Sequence, residues 1–139
     1  MKRRWLCSLL LLTVLLAGCQ VKGNPLPQGM EEETVLTQGR EIVTLLNQGE
    51  LQEVYDRLRP ASQEGASLEK FQAAMTENLD KAGAYGEEKE AMATGQTLKS
   101  TGEEYGTAVL LCRHEKKNVL YRVAFSREME LMGIEVTVR

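Results

Sequence analysis

Apolar residues downstream of residue 33 follow two periods. Over 34–47, Val35, Ile42, Leu45 and Leu46 share one helical face, and Asn47-Gln48-Gly49 closes the segment, which predicts a helix. Leu51, Val54, Tyr55 and Leu58 recur at helical spacing and predict a short second helix, stopped by Pro60. Ser67 is placed to cap a third helix, whose stripe of Leu68, Phe71, Met75, Leu79 and Ala82 ends at Gly83. All three stripes are one-sided, so each helix needs a surface to lie against.

Further along, the period becomes that of strands. Tyr105–His114 and Val119–Ser126 read as a hairpin around Glu115-Lys116-Lys117-Asn118. A symmetric loop sets Cys112 opposite Tyr121, Leu110 opposite Val123 and Ala108 opposite Phe125. One face then holds Gly106, Ala108, Leu110, Cys112 and His114 beside Val119, Tyr121, Val123 and Phe125. The other holds Val109 and Leu111 with Thr107, Arg113, Arg122 and Ser126, and reads as wetter. Met132–Val138 alternates cleanly and predicts a last strand. A weaker strand over Glu90–Lys99, with Ala91, Ala93 and Gly95 on one side, turns at Ser100-Thr101-Gly102. Helices followed by strands predict an α+β domain over 34–139. Its two to three N-terminal helices pack on a curved antiparallel sheet of about four strands.

The N-terminus is of another kind. Lys2, Arg3 and Arg4 precede a nearly unbroken apolar run from Trp5 to Leu16, the pattern of a secretory signal peptide. The run of roughly 12–14 residues is shorter than the ~20 needed to span a bilayer. Leu16-Ala17-Gly18-Cys19 follows, and this resembles the bacterial lipobox. The resemblance implies that 1–18 is a lipoprotein signal peptide and that Cys19 is the lipid attachment site and first mature residue. A thiol is the nucleophile such acylation needs, and anchoring through more than one chain, palmitate among them, meets the requirement for stable attachment. The implied address is the extracytoplasmic face of a bacterial membrane. The outer membrane is an option where the cell has one, since Gln20 is not the aspartate associated with inner-membrane retention. Residues 19–33 contain Gly23, Asn24, Pro25, Pro27 and Gly29 without periodicity and read as a flexible tether. Glu31-Glu32-Glu33 suits the positive end of the first helix.

Cutting at Cys19 changes the charge balance. The 139 residues carry 17 basic and 20 acidic side chains, a net charge of −3. Residues 1–18 hold three of the basic residues and no acidic one, so the mature 121 residues have 14 against 20, or −6. That balance excludes the basic face expected of a nucleic-acid binder, and anionic headgroups mildly repel it. Cys7 leaves with the signal peptide and Cys19 is acylated. Only Cys112 remains, which leaves no intramolecular disulfide.

The helix-then-strand order, Gly-Glu-Leu-x-x-Val-Tyr at 49–55, Ala-Gly-Ala-Tyr at 82–85 and Leu-Met-Gly-Ile at 131–134 carry a resemblance over Gln38–Arg139. They are similar to a family of small, uncharacterised bacterial lipoproteins with a nuclear transport factor 2-like (cystatin-like cone) domain. In that family a Trp is expected within helix three, whereas Trp5 is the only one here. The resemblance implies a fold and no particular reaction.

No residue pattern is assigned to catalysis, to a metal or to a cofactor. His114 is the sole histidine, and its neighbours Glu115, Lys116 and Lys117 favour a solvated hairpin shoulder over a general base. Cys112 lies on the apolar face, where thiols are inert core residues. Glu87, Glu88, Glu90, Glu103 and Glu104 read as a solvated strand edge, not a calcium loop. Met75, Met92, Met129 and Met132 read as core filler before a pocket lining. The reading is a lipid-anchored extracytoplasmic binding or interaction module, leaning away from an enzyme. Its partners would be the membrane, through Cys19, and a small apolar ligand or an envelope protein, with no nucleic acid. The alternatives are an isomerase or dehydratase using a pocket carboxylate with Tyr121 or Tyr85, and an envelope assembly subunit. That subunit would form a homodimer through the face carrying Val109 and Leu111.

Overall fold

The computed structural model describes residues Gly23–Arg139. Residues 1–18, which read as a signal peptide, and Cys19 lie outside the described residues. Four helices, α1 (Glu32–Asn47), α2 (Leu51–Arg57), α3 (Pro60–Gly65) and α4 (Leu68–Ala82), precede four strands, β1 (Tyr85–Thr97), β2 (Glu104–His114), β3 (Asn118–Ser126) and β4 (Leu131–Val138). The strands form one antiparallel sheet in the order β1-β2-β3-β4, and the chain is α+β. Among the described residues, no helix is long and apolar enough to cross a membrane.

The helical stripes do what their spacing predicts. Val35, Ile42, Leu46, Val54 and Met75 enter one core with Ala108, Leu110, Tyr121, Val123 and Phe125 of the sheet. Glu32 and Glu33 occupy the first turn of α1. At its other end Gly49, at φ 81°, lets Glu50 N–H turn back to the Leu45 carbonyl. Ser67 caps α4 by accepting from Lys70 N–H at 3.2 Å. Gly39 is the point of closest approach between layers: a Cβ there would stand 2.5 Å from that of Ala108. That contact seats α1 on β2.

Four expectations are corrected. Pro60 does not end the helical region; it opens α3 at a first-turn position, where its missing N–H is harmless. The break before it comes from Leu58, which bridges Leu131, while Arg59 N–H donates to the Leu131 carbonyl at 2.9 Å. β1 starts at Tyr85, five residues earlier than its alternation indicates. Two bulges near Glu87 and Lys89 blur the period of a strand whose first six residues are exposed. In the hairpin, Cys112 faces Val119, Leu110 faces Tyr121 and Ala108 faces Val123. The register is displaced by two residues because the turn is tighter than supposed, closed by His114 N–H to the Lys117 carbonyl. An even displacement keeps every side chain on its expected face. Lastly, Thr107 and Ser126 are buried. Thr107 donates to Gln96 Oε1 at 2.8 Å, and Ser126 Oγ accepts from Glu130 N–H at 3.0 Å.

The stretch read as a tether is held from Gly23 onward. Gly95 N–H donates to the Asn24 carbonyl, Asn24 N–H to Thr94 Oγ1, and Leu26 and Met30 pack on the core. These residues cover the free edge of β1 at Thr94 and Gly95, where backbone groups would otherwise stand unpaired.

Candidate functional site

The most concentrated chemistry lies where the hairpin turn meets the end of α4. Glu115 N–H donates to the Ala84 carbonyl and Lys116 N–H to the Ala82 carbonyl, both at 2.8 Å. These bonds draw the α4–β1 link over the last residue of β2. His114 is therefore only 4% exposed, not on a solvated shoulder. Its Nδ1 lies 2.9 Å from the Gly83 carbonyl and its Nε2 2.7 Å from the Tyr121 hydroxyl. Asn47 Nδ2 donates to the Tyr121 hydroxyl at 3.1 Å and to the Val43 carbonyl at 2.9 Å.

The proton positions in this chain follow from its end members. A carbonyl only accepts, so His114 Nδ1 carries hydrogen. Asn47 donates to the Tyr121 oxygen, which leaves the phenolic O–H free to donate to His114 Nε2. Each polar group in the chain is thereby partnered. Tyr85 packs edge-on against the imidazole, with ring centroids 5.4 Å apart.

The electrostatics favour neutral forms. Burial raises the Tyr121 phenol well above its ordinary value, and partial desolvation beside Cys112 pushes the Tyr85 phenol up to about 12, although 42% of that residue is exposed. Burial also raises the Cys112 thiol, which is 1% exposed. Both phenols and the thiol keep their protons at neutral pH, so the cluster offers hydrogen bonds and no thiolate nucleophile. A groove of about 450 Å3 adjoins it, lined by Asn47, Thr76, Asp80, Gly83 and Tyr85 among others.

The other candidates disperse. Glu88 pairs with Arg40 at 2.8 and 3.0 Å, Glu103 with Arg59 at 2.8 and 2.9 Å, and Glu87 with Arg113 at 3.6 Å. These carboxylates tie elements together. The Arg59 pair clamps the α2–α3 link to the β1–β2 turn and leaves the buried Arg59 Nε without a partner. Among the described residues, no group of three or more His, Cys, Asp or Glu is placed to hold a metal. Met75 belongs to α4 and Met92 to the opposite face of the sheet, so the methionines line no common pocket. His114 was legible only through strand alternation, which puts it with Ala108, Leu110 and Cys112. Its charged neighbours in sequence point the wrong way.

No curated protein matches the chain. A solution NMR structure of a protein from Ruminococcus gnavus ATCC 29149 aligns over 81% of this chain and 96% of that one, at 23% identity and a TM-score of 0.66, a likeness of fold. The family model described as a protein of unknown function (DUF3887) matches residues 39–134, from α1 into β4, and the chain belongs to that family.

Proposed function

We propose that the protein is a lipid-anchored extracytoplasmic interaction module that binds through its surface, its fold being a nuclear transport factor 2-like cone. One observation carries the reading: the polar groups buried between α1 and the sheet are paired with one another. Tyr121, Leu46, Leu110, Val35 and Val54 are among the fully buried side chains. The Tyr121 hydroxyl, in the position a ligand-facing group would take, is spent on His114 and Asn47. A cone that holds a small molecule needs a concave, largely apolar pocket with a few convergent polar groups. Here those polar groups converge on one another. This supports an interaction surface over an isomerase or dehydratase built on Tyr121.

The anchor rests on Lys2, Arg3 and Arg4, the run to Leu16 and Leu16-Ala17-Gly18-Cys19. Cys19→Ser is expected to abolish incorporation of an alkyne fatty acid and to leave the precursor uncut. Normal processing of that variant would refute the anchor. Binding is tested by a thermal-shift screen with a small-molecule library. A ligand at 100 times its Kd stabilises by ~2.7 kcal/mol. A hit whose shift is lost in a Tyr121 or Asn47 variant would overturn the surface-binding reading.

A further inference from the structure

The chain enters the domain over the face of the sheet that the helices leave open. A Cβ on Gly23 would stand 2.7 Å from Thr94 Cβ and 2.8 Å from Met92 Cε, both on that outer side. Two residues later the backbone crosses the β1 edge. A Cβ on Gly106, on the inner side, would stand 2.9 Å from Leu26 Cδ2. Gly23 is only four positions beyond Cys19, and four extended residues reach at most about 14 Å. A domain of this size has a radius of gyration of about 13 Å. A lipid on Cys19 therefore cannot hold the domain clear of the bilayer, and the side nearest the lipid is the outer sheet face.

That face suits a lipid surface. Met92, Val109, Leu111 and Leu120 form an apolar cluster across β1, β2 and β3, with Met92 paired to Val109 and Leu111 to Leu120. Arg113 and Arg122 border it, about half exposed and only loosely paired with Glu87 and Glu135 at 3.6 and 3.7 Å. Such side chains extend their charged ends toward headgroup phosphates while their stems cover apolar surface. Charge is divided between the layers. Glu31–Ala82 holds eleven acidic and five basic residues, whereas Gly83–Arg139 holds nine and eight. Most of the net acidity thus belongs to the helical half, while on the outer face Arg113 and Arg122 stand beside Glu87 and Glu135, and Glu90 borders Leu111.

We infer that the outer sheet face rests on the bilayer that holds Cys19, with Met92, Val109, Leu111 and Leu120 at the headgroup–acyl boundary and the acidic helices turned to water. The inference rests on the lipidation of Cys19. It leaves the helical layer as the surface offered to partners.

The mature chain has no tryptophan, because Trp5 leaves with the signal peptide. A single introduced Trp therefore reports alone. Full-length Leu120→Trp, Leu111→Trp and, as a helical-layer control, Lys70→Trp would be expressed with processing and reconstituted in phosphatidylcholine vesicles containing brominated lipid. The sheet-face reporters are expected to shift to the blue and to lose at least half their emission to bromine, while the Lys70 reporter keeps its emission. Leu111→Trp and Leu120→Trp are separate reporters, so a folding failure in one leaves the other. Unquenched sheet-face reporters on protein shown by mass to carry acyl chains would overturn the inference and leave the anchor intact. A blue shift without bromine quenching would also overturn it, in favour of a second copy covering the face. Equal quenching of all three would mean no preferred face and would overturn it too. Absence of acyl mass on Cys19 would instead remove the anchor reading itself.

Discussion

Removing one oxygen atom tests the buried polar chain. In Tyr121→Phe the ring keeps its packing, but His114 Nε2 loses its donor at 2.7 Å and Asn47 Nδ2 loses an acceptor at 3.1 Å. Asn47 retains the Val43 carbonyl and is partly exposed, so its loss is near the lower end for a hydrogen bond, ~0.5 kcal/mol. His114 is only 4% exposed, so bulk solvent does not readily replace the lost donor. Leaving a buried acceptor unmet costs about 1–3 kcal/mol. The sum is about 2 kcal/mol, equivalent to roughly 8 °C in Tm for a domain of this size. Urea unfolding of the mature domain measures it directly. A double-mutant cycle with His114→Leu isolates the pair, because without the imidazole the Tyr121→Phe cost is expected to fall below about 1 kcal/mol. A Tyr121→Phe variant within about 0.5 kcal/mol of wild type, or equal cost in both backgrounds, would refute the reasoning.

Other contacts make equally definite predictions. Gly39→Val is expected to destabilise by about 2 kcal/mol through overpacking against Ala108, and Ala108→Gly in the same chain should restore part of the loss; additive losses in urea melts would contradict the close approach. Arg59 holds the Glu103 carboxyl below its ordinary value of 4.5, so their pairing stabilises the fold above that pH and is lost as pH falls through the lowered value. Arg59→Gln should therefore flatten the decline in urea midpoint between pH 5 and pH 3, as read against wild type. Cys112 should react with a thiol reagent only as fast as the domain opens, so labelling that is rapid in buffer and unchanged by urea would show the thiol to be accessible.

The helical half was legible because each stripe is a simple one-sided pattern; Val35, Ile42, Leu46, Val54 and Met75 all point where their spacing puts them. The short α3 was not, since a proline stops one helix and starts another with the same residue. β1 was obscured by charged, exposed positions at Glu87, Glu88 and Glu90 and by its bulges, which belong to an edge strand. The hairpin register follows a tight turn closed by His114 N–H to the Lys117 carbonyl, and Glu115 and Lys116 add tertiary hydrogen bonds to the end of α4 that no local pattern encodes. The same bonds bury His114. The polar chain was thus half visible: alternation put His114 and Tyr121 on one face, but Asn47 entered from a helix terminus read only as a stop signal.

The order of elements along the chain also governs how the domain comes into being. All four helices are made first, and each has an apolar stripe with nothing yet to cover it. The surface they need is the sheet, whose last strand, β4, follows all the helices and ends at Val138. Within the sheet, every strand pairs with its sequence neighbour, so hairpins can add one after another with short loop closures. The first half of the molecule must therefore remain uncommitted until the second half arrives, and then the whole can close quickly. A chain of this layout stays soft until β4 is in place and becomes rigid only when the sheet is complete.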